Sequence, residues 1–234
     1  MKTKSLLIAG ATILAILATK SAAAVVTGTY SFGADGHVET FAYNGAAITG
    51  VTVGNLVKVG VTSSSSSGNS RASNWPTGAT TESNAFTGTI DPSKYFVFTL
   101  AALGGYTLDM SSITFGVGRS TTGPRQWEWR SSANNYASAI ETYTSTTAGL
   151  TLVSGVLTNP DTNSSWTGNV LDLSAEAYKD LTNISFRIYG YNSESTVGTG
   201  GLQGDLNFDV TAVPEPTAVF LGAFGLLGLL RRRR

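Results

Sequence analysis

The sequence predicts an all-β fold, an antiparallel β-sandwich of jelly-roll type, flanked by an N-terminal signal helix and a C-terminal transmembrane helix. Three observations carry that expectation. Between the ends, short runs rich in β-branched and aromatic residues recur at spacings of roughly ten residues. Gly, Asn, Ser and Pro punctuate the gaps between them. Two uncharged apolar stretches, residues 6–18 and 217–230, stand at the termini.

Taken in chain order, residues 1–24 read as a secretory signal. Lys2 and Lys4 precede the apolar run, and the small residues Ala22, Ala23 and Ala24 follow it, with Lys20 interrupting the approach. The run has the length of a signal-peptide core and is too short for a membrane span. Cleavage by signal peptidase is expected after Ala24.

Residues 25–212 are long enough for one domain with its own core. The runs are HVETFAY, NLVKVGVT, KYFVFTL, SSITFGVG, RQWEWRS, LTLVSGVL, NISFRIYGY and LNFDVTA. Period-two alternation is plain in several. Tyr95, Val97 and Thr99 oppose Phe96, Phe98 and Leu100, and Ile184, Phe186 and Ile188 oppose Ser185, Arg187 and Tyr189. Residues 62–86 show little periodicity and are expected to form the longest loop, whereas 175–181 is expected to hold a helical turn.

Composition excludes several chemistries. Of fifteen basic residues, three lie in the first twenty and four at the C-terminus. Eight are left against fourteen acids in residues 25–212, a net of about −6. An acidic domain disfavours nucleic acid as a partner. The absence of cysteine rules out disulfides, thiolate nucleophiles and cysteine-ligated zinc, and one histidine rules out sites that need two imidazoles.

In RQWEWRS a strand puts Arg125, Trp127 and Trp129 on one face, where core packing is the expectation. Trp75 in NWP and Trp166 in NSSWTG have polar surroundings, so these two are the candidates for stacking against a glycan. His37 lies in a strand-like run without a nucleophile-elbow motif. Glu128, Glu141, Asp161 and Asp172 supply carboxylates but no paired motif on one strand face. Asp205 and Asp209 share a face about 13 Å apart if extended, too far for a retaining glycosidase pair. DTNSSWTG starts like an EF-hand loop but has Trp166 where Gly is required. GGLQGD is a single imperfect copy of a calcium-binding repeat. Glycine-rich turns account for both stretches, and no cofactor or metal is expected.

The C-terminus is distinctive. Residues 217–230 carry no charge, and a helix of fourteen residues rises about 21 Å against a hydrocarbon core of about 30 Å. Arg231, Arg232, Arg233 and Arg234 follow, and the positive-inside rule keeps them cytoplasmic, with the domain outside the inner membrane. Just before the run, Pro214 and Pro216 fix φ, lack N–H groups and push Val213 and Glu215 toward extended backbone. Residues 213–216 are therefore expected to be a stiff, unpaired strip beside the membrane.

Val213, Pro214, Glu215 and Pro216, the short apolar run and the terminal arginines together resemble the PEP-CTERM sorting signal of Gram-negative bacteria. The resemblance implies recognition of residues 213–234 by an exosortase, a transpeptidase-like membrane enzyme, in hosts that make extracellular polysaccharide. A second resemblance runs through RSTTGP and FRIYGY, which look like the turn and late strand of β-sandwich ectodomains that precede such tails. It implies a fold and a surface location, and assigns no activity. The expectation is an exported, non-enzymatic protein of the cell surface or extracellular matrix, transiently anchored in the inner membrane. The alternative is a carbohydrate-binding module for extracellular polysaccharide, and a glycoside hydrolase ranks below both.

Overall fold

The computed structural model describes residues 23–33, 37–64 and 68–215. The signal helix expected over residues 1–24 falls almost wholly outside the described residues, as do Pro216, the apolar run and the four terminal arginines. Among the described residues no helix is long and apolar enough to cross a membrane.

The first half of the chain forms β1 Val26–Tyr30, β2 Thr40–Phe41, β3 Val51–Val53, β4 Leu56–Val59, β5 Thr62–Ser64, β6 Asn69–Ser73, β7 Tyr95–Ala102 and β8 Tyr106–Arg119. The second half adds β9 Gln126–Ser131, β10 Tyr143–Ser145, β11 Thr151–Val153, β12 Val156–Thr158, β13 Ser164–Asp172, β14 Asn183–Tyr191, β15 Gly200–Gln203 and β16 Leu206–Pro214. Single 3₁₀ turns occupy Ser132–Asn134 and Glu176–Tyr178. The second is the expected helical turn.

All ladders between these strands are antiparallel, and they form two sheets. One runs β1-β16-β8-β15-β6-β5, with β13 on the other side of β8 and β10 on β13. The other runs β11-β12-β9-β14-β7-β4-β2, with β3 also on β7.

Alternation explains why these runs pair as they do. On β7 and β14, Phe96 faces Ile188, Phe98 faces Phe186 and Leu100 faces Ile184, and all six are buried. The other sheet buries Leu108, Met110, Ile113, Phe115 and Val117 from β8 and Leu206, Phe208 and Val210 from β16. Phe98 meets Phe208 with ring centroids 5.8 Å apart, and Phe115 meets Trp129 at 5.1 Å, so both sheets feed one core. Each such side chain contributes about 1.5–3 kcal/mol by leaving water.

Several elements differ from expectation. HVETFAY contributes only the two residues of β2. The stretch 62–86, expected to be loop, contains β5 and β6, whose buried positions Ser70 and Ala72 are too small to give an apolar periodicity. GGLQ is strand β15 rather than a turn. A Cβ on Gly201 would lie 2.1 Å from the Ser70 carbonyl oxygen, so glycine admits the close approach of β6. LTLVSGVL is a hairpin, β11 and β12, turning at Ser154 and Gly155 with φ of 48° and 78°.

Candidate functional site

The residues expected to stack on a glycan are buried. Trp75 follows β6 on a loop, but its ring inserts between the sheets, 5.5 Å from Trp127 and 5.2 Å from Phe96. Its Nε1–H donates to the Ala72 carbonyl at 2.9 Å. Trp166 lies within β13, 6 % exposed, with the turn around Gly149 across its indole nitrogen. Polar neighbours in sequence misled here because the adjacent Ser and Thr residues are strand positions that face outward. Trp127 and Trp129 are core residues, as expected.

His37 lies in an exposed turn rather than a strand. Among the candidate carboxylates Glu141 is exposed, and the others are engaged locally. Glu128 accepts from Arg130 Nε and, at 3.3 Å, from the Tyr191 hydroxyl. Asp172 accepts from the Ser174 N–H, Asp205 from the Ser31 hydroxyl, and Asp209 from the Thr27 and Ser112 hydroxyls. Among the described residues no group of three or more His, Asp or Glu side chains is placed to hold a metal ion.

The structure gathers a set of residues that the sequence did not single out. A cleft of about 630 Å³ is lined by Glu82, Asn84 and Phe86 from the β6–β7 connection, by Thr158 at the end of β12 and Asn159 and Asp161 after it, and by the chain around Gly149. Two buried arginines from either side of the RSTTGP turn support it. Arg125 donates to the Asn159 and Ser83 carbonyls at 3.0 and 2.9 Å and to Asn84 Oδ1 at 2.8 Å, with its guanidinium 5.2 Å from the Phe86 ring centroid.

Arg119 pairs with Asp161 at 2.9 Å and with Glu194 at 2.6 Å. Burial by itself would raise the Asp161 carboxyl, but the Glu82 N–H and Arg119 outweigh it and hold the group below the usual carboxylate range. The side-chain amide of Asn159 is buried and makes no hydrogen bond within the protein. Two arginines flanking a turn in an otherwise acidic domain were the available sequence signal.

The second assembly is the end of β16, where the expected unpaired strip is corrected. Val213 pairs with Thr107 and Pro214 with Tyr106, and the Glu215 N–H donates to the Gly105 carbonyl at 2.8 Å. Ala212 packs against the core. Alternation puts Val213 on the outer face, although it is only 5 % exposed. The strip is the last part of a core strand because T-A-V-P continues the β-forming pattern of LNFDVTA and β8 is long enough to receive it. Pro214 is tolerated because it lies at a strand end.

Residues 212–234 match the PEP-CTERM protein-sorting motif. The match implies export, transient membrane anchoring through the C-terminal tail and processing by an exosortase, a membrane enzyme. No curated protein and no solved structure matches the chain. The PEP-CTERM motif begins inside the folded domain: Ala212, Val213 and Pro214 are strand residues, whereas Pro216 and Arg231, Arg232, Arg233 and Arg234 lie beyond the described ones. At the other end Ala24 is exposed, two residues ahead of β1.

Proposed function

We propose that this is an exported, non-enzymatic protein of the cell surface or extracellular matrix. Its body is a sandwich of jelly-roll type, released from a signal segment at Ala24, held briefly in the inner membrane and sorted through its tail by an exosortase-like enzyme. The observation that carries the reading is the sorting motif over residues 212–234, continuous with a core strand. The local engagement of Glu128, Asp172, Asp205 and Asp209 by neighbouring donors supports a structural role for those carboxylates.

Gel mobility and cell fractionation in a host that makes the enzyme test it. Replacing Arg231, Arg232, Arg233 and Arg234 with Ser removes the orienting charge and is expected to prevent retention for processing. Pro214→Ala with Pro216→Ala is expected to reduce recognition while leaving the apolar run intact. Normal mobility and location of both variants would make the tail a plain anchor.

One observation favours a second reading, carbohydrate binding. The Asn159 amide, unpaired within the protein, lines a cleft that also presents Asn84, Thr158, two carboxylates and the Phe86 ring, a set suited to hydroxyls on a sugar. This reading moves the contact from Trp75 and Trp166 to the cleft. Gel electrophoresis of the domain through immobilised host polysaccharide is expected to show retardation that Asn159→Ala and Phe86→Ala abolish. Equal mobility with and without the polysaccharide would remove the reading.

A further inference from the structure

The end of β16 has one bonded edge and one open edge. On the far side of β8, Leu108 exchanges both backbone hydrogen bonds with Leu181, at 2.8 and 3.0 Å. In an antiparallel ladder, backbone groups alternate sides along the strand. Leu108 therefore faces away from β16, and Thr107 faces toward it. It follows that Val213 directs its N–H and C=O at β8, in phase with the Glu215 bond to Gly105, and that Ala212 directs its own away.

On that outward side β1 is the neighbour, but its pairing stops at Val26 opposite Val210. Beyond this point no strand among the described residues covers β16. The Ala212 N–H and C=O and the Pro214 C=O therefore form a short open edge, and the missing N–H of Pro214 costs no ladder bond.

We propose that this edge is the docking surface for an extended backbone segment of the membrane enzyme that processes the tail, bound by strand addition. The inference rests on the sorting reading above. Three observations favour that occupant. The sorting motif begins at Ala212, the residue that supplies the edge's only donor. The strip is held from behind by β8, so its extended form is set before binding and little ordering cost remains. The edge carries one donor and two acceptors and ends at a proline, which admits a short partner strand in one register and discourages open-ended pairing with other edges.

Two variants of the full chain test this. Ala212→Pro removes the outward N–H and fills its place with a ring, sparing every bond to β8. Inserting Thr-Val-Thr-Val between Ala24 and Val25 leaves the motif untouched but continues β1 opposite Thr211, Ala212 and Val213, and so covers the edge. A Gly-Gly-Ser-Gly insertion at the same place is the control. The probe is membrane vesicles from a cell that processes the wild type, with tail processing followed by gel mobility.

Both the Pro variant and the strand-forming insertion are expected to be processed at least tenfold more slowly than wild type, and the control at the wild-type rate. If Ala212→Pro fails to fold, the insertion pair decides alone. Wild-type rates for the strand-forming insertion, or equal slowing by the control, would overturn the proposal while leaving the sorting reading intact. A wild type that is never processed would remove the sorting reading itself. An Ala212 amide protected from hydrogen exchange in a protein of doubled molecular mass would assign the edge to a second copy.

Discussion

Gly28 shows how single atoms constrain the fold. It lies opposite Phe208 on edge strand β1, and a Cβ there would lie 2.1 Å from the Phe208 ring. Gly28→Ala is expected to cost about 1–3 kcal/mol through overpacking, read as a lower melting temperature. Asn169 fixes the bulge at which β13 slips between Trp166 and itself. Its amide donates to the Trp166 carbonyl at 3.1 Å and its Oδ1 accepts from the Thr147 N–H at 2.9 Å. Asn169→Ala strands buried backbone groups and is expected to cost about 1–3 kcal/mol in urea denaturation. Burial lowers the Lys58 pKa from 10.5 to about 8, against the opposing pull of Glu39. Between those pH values the unfolded chain holds the extra proton, so stability is expected to rise as pH goes from 8 toward 10.5. Lys58→Met should flatten that slope in the same denaturation series.

At the scale of elements, Arg119 ties the segment after β12 to the β14–β15 connection through Asp161 and Glu194. Arg119→Met leaves Glu194 without its cation and Asp161 with only the longer 3.7 Å pair to Arg125, and is expected to cost about 3–5 kcal/mol, whereas adding Asp161→Asn and Glu194→Gln should restore most of it. Urea denaturation of the single and triple variants gives both numbers. Elements built from large alternating residues, such as β7, β9 and β14, were legible in the sequence because burial and period coincide. β5, β6 and β15 were not: Ser, Ala and Gly carry little hydrophobic contrast, and what makes them strands is the approach of a neighbour that only small residues permit. The cleft was illegible for a related reason, since its residues come from segments some seventy positions apart, such as Asn84 and Asn159, joined by Arg125. The sorting motif is contiguous, so its chemistry was readable in order. Its pairing with β8 was not, because proline signals argue against a strand and are silent about which edge a strand end exposes.

For the whole molecule, the domain boundary moves from Ala212 to Glu215. A fragment of residues 25–212 lacks the Val213 and Glu215 bonds to β8, and is expected to be less stable than residues 25–215 by about 1–3 kcal/mol, measured by urea denaturation with both giving a β-type circular dichroism spectrum. The antiparallel pairing of β1 with β16 also sends both ends of the described chain out at the same end of one sheet. That arrangement sets the mechanical character of the molecule. A protein tethered by residues beyond Pro214 and loaded at the opposite pole takes force along the axis of β16, so its ladders to β8 and β1 must shear together. Pulled instead between its own two ends, β1 and β16 part like a zipper, one bond after another. The fold is thus built to resist tension along β16 better than between its own two ends, a directional strength set by where one strand leaves the sheet.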